Sequence, residues 1–191
     1  MKPVIWIMQL DVENYRSFNS TAEFFDKWLR WRDKFLNPGS YAAEWEAVRM
    51  ILFEGNPGEK RKEQRKPIPD FANGYVVDSC SDRARRVIEP LVQGQIEFLP
   101  LTTPVGPYWE MNVQRLKCLD EEKSLVKRFK DGQIMRVIKY AFYWERLKGQ
   151  HIFWIQEVGK HPTFVSDEFK RLVEENDLTG LEFLPVPLVE E

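Results

Sequence analysis

The sequence predicts an α+β protein, a mostly antiparallel sheet with packed helices, and three observations carry that expectation. One stretch is present twice: Ser81-Asp82 opens a run that reaches Glu97-Phe98-Leu99-Pro100, and Ser166-Asp167 opens one that reaches Glu182-Phe183-Leu184-Pro185, 85 positions later. Each copy reads as helix, glycine turn and strand, so the chain contains two similar helix-strand units, 81–101 and 166–186. Outside the copies the apolar runs are short and mostly alternate, the period of half-buried strands. The short loop Thr102–Pro107 then delivers Tyr108–Val113, which makes the two flanking strands antiparallel neighbours.

Val4–Leu10 is an apolar run that predicts an N-terminal strand. Ser20-Thr21-Ala22-Glu23 has the spacing of a capping box, so a helix is expected from there to about Leu36, where Asn37-Pro38-Gly39 stops it. Phe24, Trp28, Trp31 and Phe35 recur on one side of that helix, with Phe25 and Leu29 nearby; such a stripe is ordinarily core, and a partner-binding face is the alternative. Glu44–Phe53 fits a strand ending at the Gly55-Asn56-Pro57-Gly58 turn. The run 59–66, EKRKEQRK, holds five basic residues, but its two glutamates and lack of aromatics predict a solvated loop rather than a phosphate site. Pro67–Phe71 is extended by its prolines and leads through Tyr75-Val76-Val77 into the first unit.

In the units, Ser81 and Ser166 are placed as N-caps, and Asp82, Asp167 and Glu168 put negative charge at the positive end of each helix dipole. Ala84, Val87, Ile88 and Leu91 share one face, as do Phe169, Leu172 and Val173. Gly94 and Gly180 turn the chain into strands where Phe98 and Phe183 should be buried and Glu97 and Glu182 should point away, with Pro100 and Pro185 as their ends. Farther along, Asp131-Gly132 marks a hairpin, Ile134–Ile138 and Tyr140–Trp144 alternate as strands, and His151–Val158 reads as another. Ile134, Val137, Ile138 and Ala141 also satisfy a helical template.

At 191 residues the chain can bury a core, and it is expected to be one domain, 1–191, with 1–66 as an N-terminal subregion and 67–186 as the main body. Lys plus Arg at 28 against Asp plus Glu at 30 leaves a net charge of -2, which gives no global field for nucleic acid or anionic lipid. Two cysteines, Cys80 and Cys118, and an apolar start too short for an export signal predict a cytoplasmic protein with free thiols. No stretch has the length of a membrane span.

Chemistry-bearing motifs are scarce. The two histidines, His151 and His161, stand outside any metal or hydrolase pattern, so no cofactor, no metal and no enzyme activity is expected. Cys80 precedes a helix N-terminus and could pair with His161, but a buried structural thiol is the simpler reading.

The ordered motifs from Ser81 to Leu101, then Tyr108–Val113, Leu119–Ser124, His151–Ile155 and Phe164–Phe169, closing on Thr179–Phe183, resemble the eleventh immunity protein family of bacterial polymorphic toxin systems, over about residues 67–186. That resemblance implies a cytoplasmic protein that binds and neutralises a cognate toxin domain, and it transfers no active-site residues. The alternative is a small-molecule-binding or enzymatic domain with a pocket between the two units, lined by His151, His161 or Cys80. If the protein blocks a basic toxin, aromatic anchors beside acids would serve, and Tyr108, Trp109 and Glu110 with the Asp120-Glu121-Glu122 turn are the expected partner-binding residues. The acid-rich helix of the second unit is the other place with that combination.

Overall fold

The computed structural model describes residues 3–158 and 162–190. In chain order, β1 (Ile5–Leu10) and β2 (Phe18–Ser20) precede α1 (Ala22–Lys34), β3 (Val48–Leu52), α2 (Lys60–Arg65), β4 (Phe71–Asn73) and β5 (Asp78–Ser81). Next come α3 (Asp82–Ile88), β6 (Ile96–Thr103), β7 (Gly106–Val113), β8 (Arg115–Leu116), β9 (Leu125–Arg128) and β10 (Ile134–Lys139). A 3-10 turn at Trp144–Leu147 leads to β11 (Ile152–Ile155), β12 (Thr163–Ser166), α4 (Asp167–Glu175) and β13 (Leu181–Pro185). The strands form a sheet in the order β2-β3-β6-β7-β5-β4, a second in the order β13-β1-β12-β11-β8, and the separate pair β10-β9. Most pairings are antiparallel, as expected; β3 with β6 and β8 with β11 are parallel.

The two helix-strand units sit at equivalent places, one in each large sheet. In the first, β5 and β6 flank β7; in the second, β12 and β13 flank β1. Register agrees residue by residue: Trp109 lies opposite Cys80 and Pro100, and Trp6 lies opposite Val165 and Pro185. From the helices, Arg85 covers the Trp109 ring at 4.1 Å and Lys170 covers the Trp6 ring at 4.9 Å. Ion pairs match too, Asp82 with Arg86 and Glu89 with Arg85 against Asp167 with Arg171 and Glu174 with Lys170. The middle strand follows its unit directly in the first case. In the second it is the N-terminal strand, which sequence periodicity identified but could not assign to a neighbour.

Both helices start where the caps predicted. Ser81 Oγ accepts from the Ala84 amide at 3.1 Å and donates to Asp70 Oδ1 at 2.8 Å, while Ser166 Oγ accepts from the Phe169 amide at 3.1 Å and shares a 2.9 Å hydrogen bond with His151 Nδ1. Ala84, Ile88, Phe169 and Val173 are buried beneath them. They belong to the larger of two apolar clusters, with Trp31, Phe35, Leu99, Met111 and Trp154; the smaller collects Ile5, Tyr140, Phe142, Phe153 and Phe164.

Several local expectations give way to tertiary contacts. Ser20 pairs with Met50 in the β2-β3 ladder, so it does not cap α1; Thr21 takes the cap position, its hydroxyl donating to Glu23 Oε1 at 3.3 Å rather than accepting from a helix amide, and the box does not form. Trp31 and Phe35 are core, as the stripe predicted, whereas Leu29 is exposed and the Phe24 and Phe25 side chains lie outside those described. The strand expected over 44–53 begins only at Val48, because Tyr41 O holds the amides of Glu44 and Trp45 in a turn. The expected loop 59–66 is α2, built from good helix formers and held by buried Glu63, which pairs with Lys66 at 2.8 Å. Pro100 does not end β6: its carbonyl accepts from Trp45 Nε1 at 2.9 Å on the edge away from β7, and its missing N–H lies on that same edge. Tyr140–Trp144 makes only isolated bridges, β11 stops at Ile155, and β9 was not anticipated.

Phe98 and Phe183 are half-buried rather than fully buried; Glu182 is exposed as expected, but Glu97 is half-buried. Strand alternation holds, but both faces of the six-stranded sheet are covered. On the face opposite Phe98, the Glu97 carboxylate accepts from Ser40 Oγ at 2.6 Å, from the amides of Tyr41 and Ala42 at 2.9 and 3.0 Å, and from Asn112 Nδ2 at 3.0 Å.

Each cap serine also anchors the strand before its helix, so Ser81→Ala and Ser166→Ala should each lower stability by about 1–2 kcal/mol. Urea unfolding of the two variants measures this, and a loss below about 0.3 kcal/mol in both would show that the caps do not hold the units.

Candidate functional site

The residues expected to meet a partner are dispersed by the fold. β7 lies between β6 and β5, an interior strand, so Tyr108 and Glu110 are buried and Trp109 is half-buried under Arg85. The Tyr108 hydroxyl donates to Pro69 O, and its ring meets Phe18 edge-on at 4.9 Å. Asp120 is buried against the smaller cluster, where its carboxylate accepts from the Lys123 amide at 3.2 Å and pairs with Lys123 Nζ at 3.4 Å. Glu121 is half-buried and bound to Arg128 at 2.8 Å; Glu122 alone among the six is freely exposed. The two segments therefore do not share an edge, and three of the six residues, Tyr108, Glu110 and Asp120, are buried.

Glu110 has an internal role. It is fully buried and accepts from three successive amides, Tyr75 at 2.6 Å, Val76 at 2.5 Å and Val77 at 2.7 Å, which fixes the turn between β4 and β5. Gly74 makes room for it, since a Cβ there would run into Glu110 Oε2 and lie 2.6 Å from Val77 O. Burial pushes the carboxyl up to about 7, against the downward pull of the three amides.

The residues considered for a catalytic pocket are also occupied in the structure. Cys80 is completely buried and burial pushes its thiol far up, the opposite of activation; Cys118 is likewise buried, pushed up to about 12. His151 is held at the Ser166 cap, and His161, the other half of the considered dyad, lies outside the described residues. Between the two helices is an open cleft of about 450 Å³ lined by Val87, Leu91, Glu168, Arg171 and Leu172, with no nucleophile. A larger apolar groove of about 880 Å³ lies elsewhere, between β1, β13 and the segment bearing Tyr140, Phe142 and Trp144. Among the described residues no group of three or more His, Cys, Asp or Glu could hold a metal, and no helix is long and apolar enough to cross a membrane.

A surface that sequence reasoning passed over is the β9-β10 hairpin. Val126 and Ile134 are half-buried and Val137 is buried against the smaller cluster, whereas Leu125, Phe129, Met135 and Ile138 are 43–51% exposed. Lys127, Arg128, Lys130 and Arg136 are exposed among them. Its legible signal was Asp131-Gly132, which does form the turn, with Gly132 at φ 88°. The apolar residues on both sides of the alternation were the sign that one face is uncovered.

A family model described as an immunity protein family (Imm11) matches residues 13–187. The match begins well before residue 67, so α1 and α2 fall inside it. No curated protein matches the chain.

The raised Glu110 group makes a pH prediction. Its folded pKa lies above the unfolded value, so the folded protein keeps a proton that the unfolded chain releases, and this contribution is lost as pH rises through about 7. Wild-type stability should therefore fall relative to Glu110→Gln by about 1–3 kcal/mol between about pH 5 and pH 8. Parallel stability curves for the two proteins over that range would rule it out.

Proposed function

Because the chain belongs to the immunity protein family Imm11, matched over residues 13–187, we propose that it is a cytoplasmic immunity protein of a bacterial polymorphic toxin system. It binds a cognate toxin domain and neutralises it by stoichiometric occlusion, without chemistry of its own. The family match carries this reading. The buried thiols support a binding role, since Cys80 is inaccessible and its thiol is held protonated. Occlusion of this kind requires complementarity over roughly 1,200–2,000 Å² of total buried surface. That area demands an outward-facing patch of mixed apolar and charged residues, not the small cleft between α3 and α4.

Co-expression with the products of the adjacent open reading frames, as candidate toxin domains, tests the reading. Cells carrying both should survive, and the two proteins should elute as a complex of equal stoichiometry. Cell death undiminished by the chain, with no complex formed from the purified proteins, would overturn it.

A further inference from the structure

The β9-β10 hairpin groups exposed apolar side chains and cations that its own fold does not use. Residues 125–139 contain five cations, Lys127, Arg128, Lys130, Arg136 and Lys139, against the single carboxylate of Asp131, within a chain of net charge -2. Arg128 is bound to Glu121 and Lys139 to Glu190, but among the described residues Lys127, Lys130 and Arg136 have no carboxylate within 4.0 Å. Leu125, Phe129, Met135 and Ile138 are exposed between these cations. The hairpin pairs with neither large sheet. Exposed apolar side chains grouped with unpaired charges of one sign are the composition of an interface, with anchors for contact and charges for steering.

We propose that this hairpin is the docking element for the toxin, and that the toxin meets it with an acidic surface bearing apolar residues; this rests on the immunity reading above. The sign is opposite to the one expected from the acidic 120–122 turn, because Asp120 is buried and Glu121 already neutralises Arg128. A second copy of the chain does not fit, since two such hairpins would bring like charges together. Nucleic acid fits less well than protein: Leu125, Met135 and Ile138 offer no ring to stack on a base, and Phe129 stands alone.

The test measures binding of the full chain to the toxin domain identified by that co-expression, at low and at physiological salt, with cell protection read in parallel. Lys127→Glu, Lys130→Glu and Arg136→Glu together should slow association at least about tenfold at low salt and leave dissociation nearly unchanged. Phe129→Ser with Met135→Ser should speed dissociation about tenfold while association stays similar. All five positions are exposed, so unchanged melting of the variants confirms that folding is not the cause. Wild-type binding and protection with both variants behaving as wild type would sink the docking assignment and leave the immunity reading standing. Absence of wild-type binding and protection would end both. Slower association after charge reversal at Glu121 and Glu122, with the hairpin variants silent, would move the site to the acidic turn. Tight, salt-sensitive binding of a labelled single-stranded oligonucleotide, lost in the Lys/Arg→Glu variant that still binds toxin normally, would make the hairpin a nucleic-acid surface instead.

Discussion

The carboxylate of Asp70 joins the two units. One oxygen accepts from the cap serine of the first unit, and the other accepts from the amide and hydroxyl of Thr179 in the turn of the second, at 3.1 and 3.2 Å, and from Arg83 at 2.7 Å. Main-chain bonds run beside these, with the amides of Asp70 and Phe71 both donating to Thr179 O. The approach is close enough that Gly180, at φ 95°, admits no side chain, because a Cβ would meet Phe71 O. A buried carboxylate that accepts at both oxygens tolerates little displacement, so the start of β4 is held to the turn of the other unit.

The opposite junction uses different chemistry for the same task. His151 stands before β11 as Asp70 stands before β4, bound to the other cap serine, and the amides of His151 and Ile152 donate to Gln95 Oε1 at 2.7 and 3.1 Å in the turn of the first unit. Ahead of each unit, therefore, stands a residue that grips that unit's helix cap and touches the turn of the partner unit. This reciprocity sets α3 beside α4 and leaves only a shallow cleft between them. A histidine that looked available for chemistry is occupied in structure.

Covering both faces of the six-stranded sheet has a consequence for function. Acids that alternation would put in water, Glu97 and Glu110, become fixed internal acceptors for backbone amides, and β7 loses any role as a binding edge. The hairpin rests on the smaller cluster by one face only and leaves Leu125, Phe129, Met135 and Ile138 exposed beside Lys127, Lys130 and Arg136. A protein of the immunity class needs such an uncommitted surface, because its affinity must come from contacts that its own folding does not use.

Much of this protein was readable from local residue patterns. Both serine caps, the buried faces of α3 and α4, the β6-β7 pairing and the Asp131-Gly132 turn rest on neighbours within a few positions, where spacing and side-chain type suffice, and the α+β class and the family resemblance follow from the order of such short motifs along the chain. Partner strands did not follow from those patterns: that β1 fills the place in one sheet that β7 fills in the other depends on residues far apart in the chain. Ser20 lost its cap to a strand pairing with Met50, a contact no local window contains, whereas the helix at Lys60–Arg65 rests on helix-forming residues and the Glu63–Lys66 pair and was locally legible. The proposed site differs from the expected one for the same reason. An acid's exposure is decided by what packs over it, and only the tertiary structure shows that Glu110 and Asp120 are covered while Lys127, Lys130 and Arg136 are not.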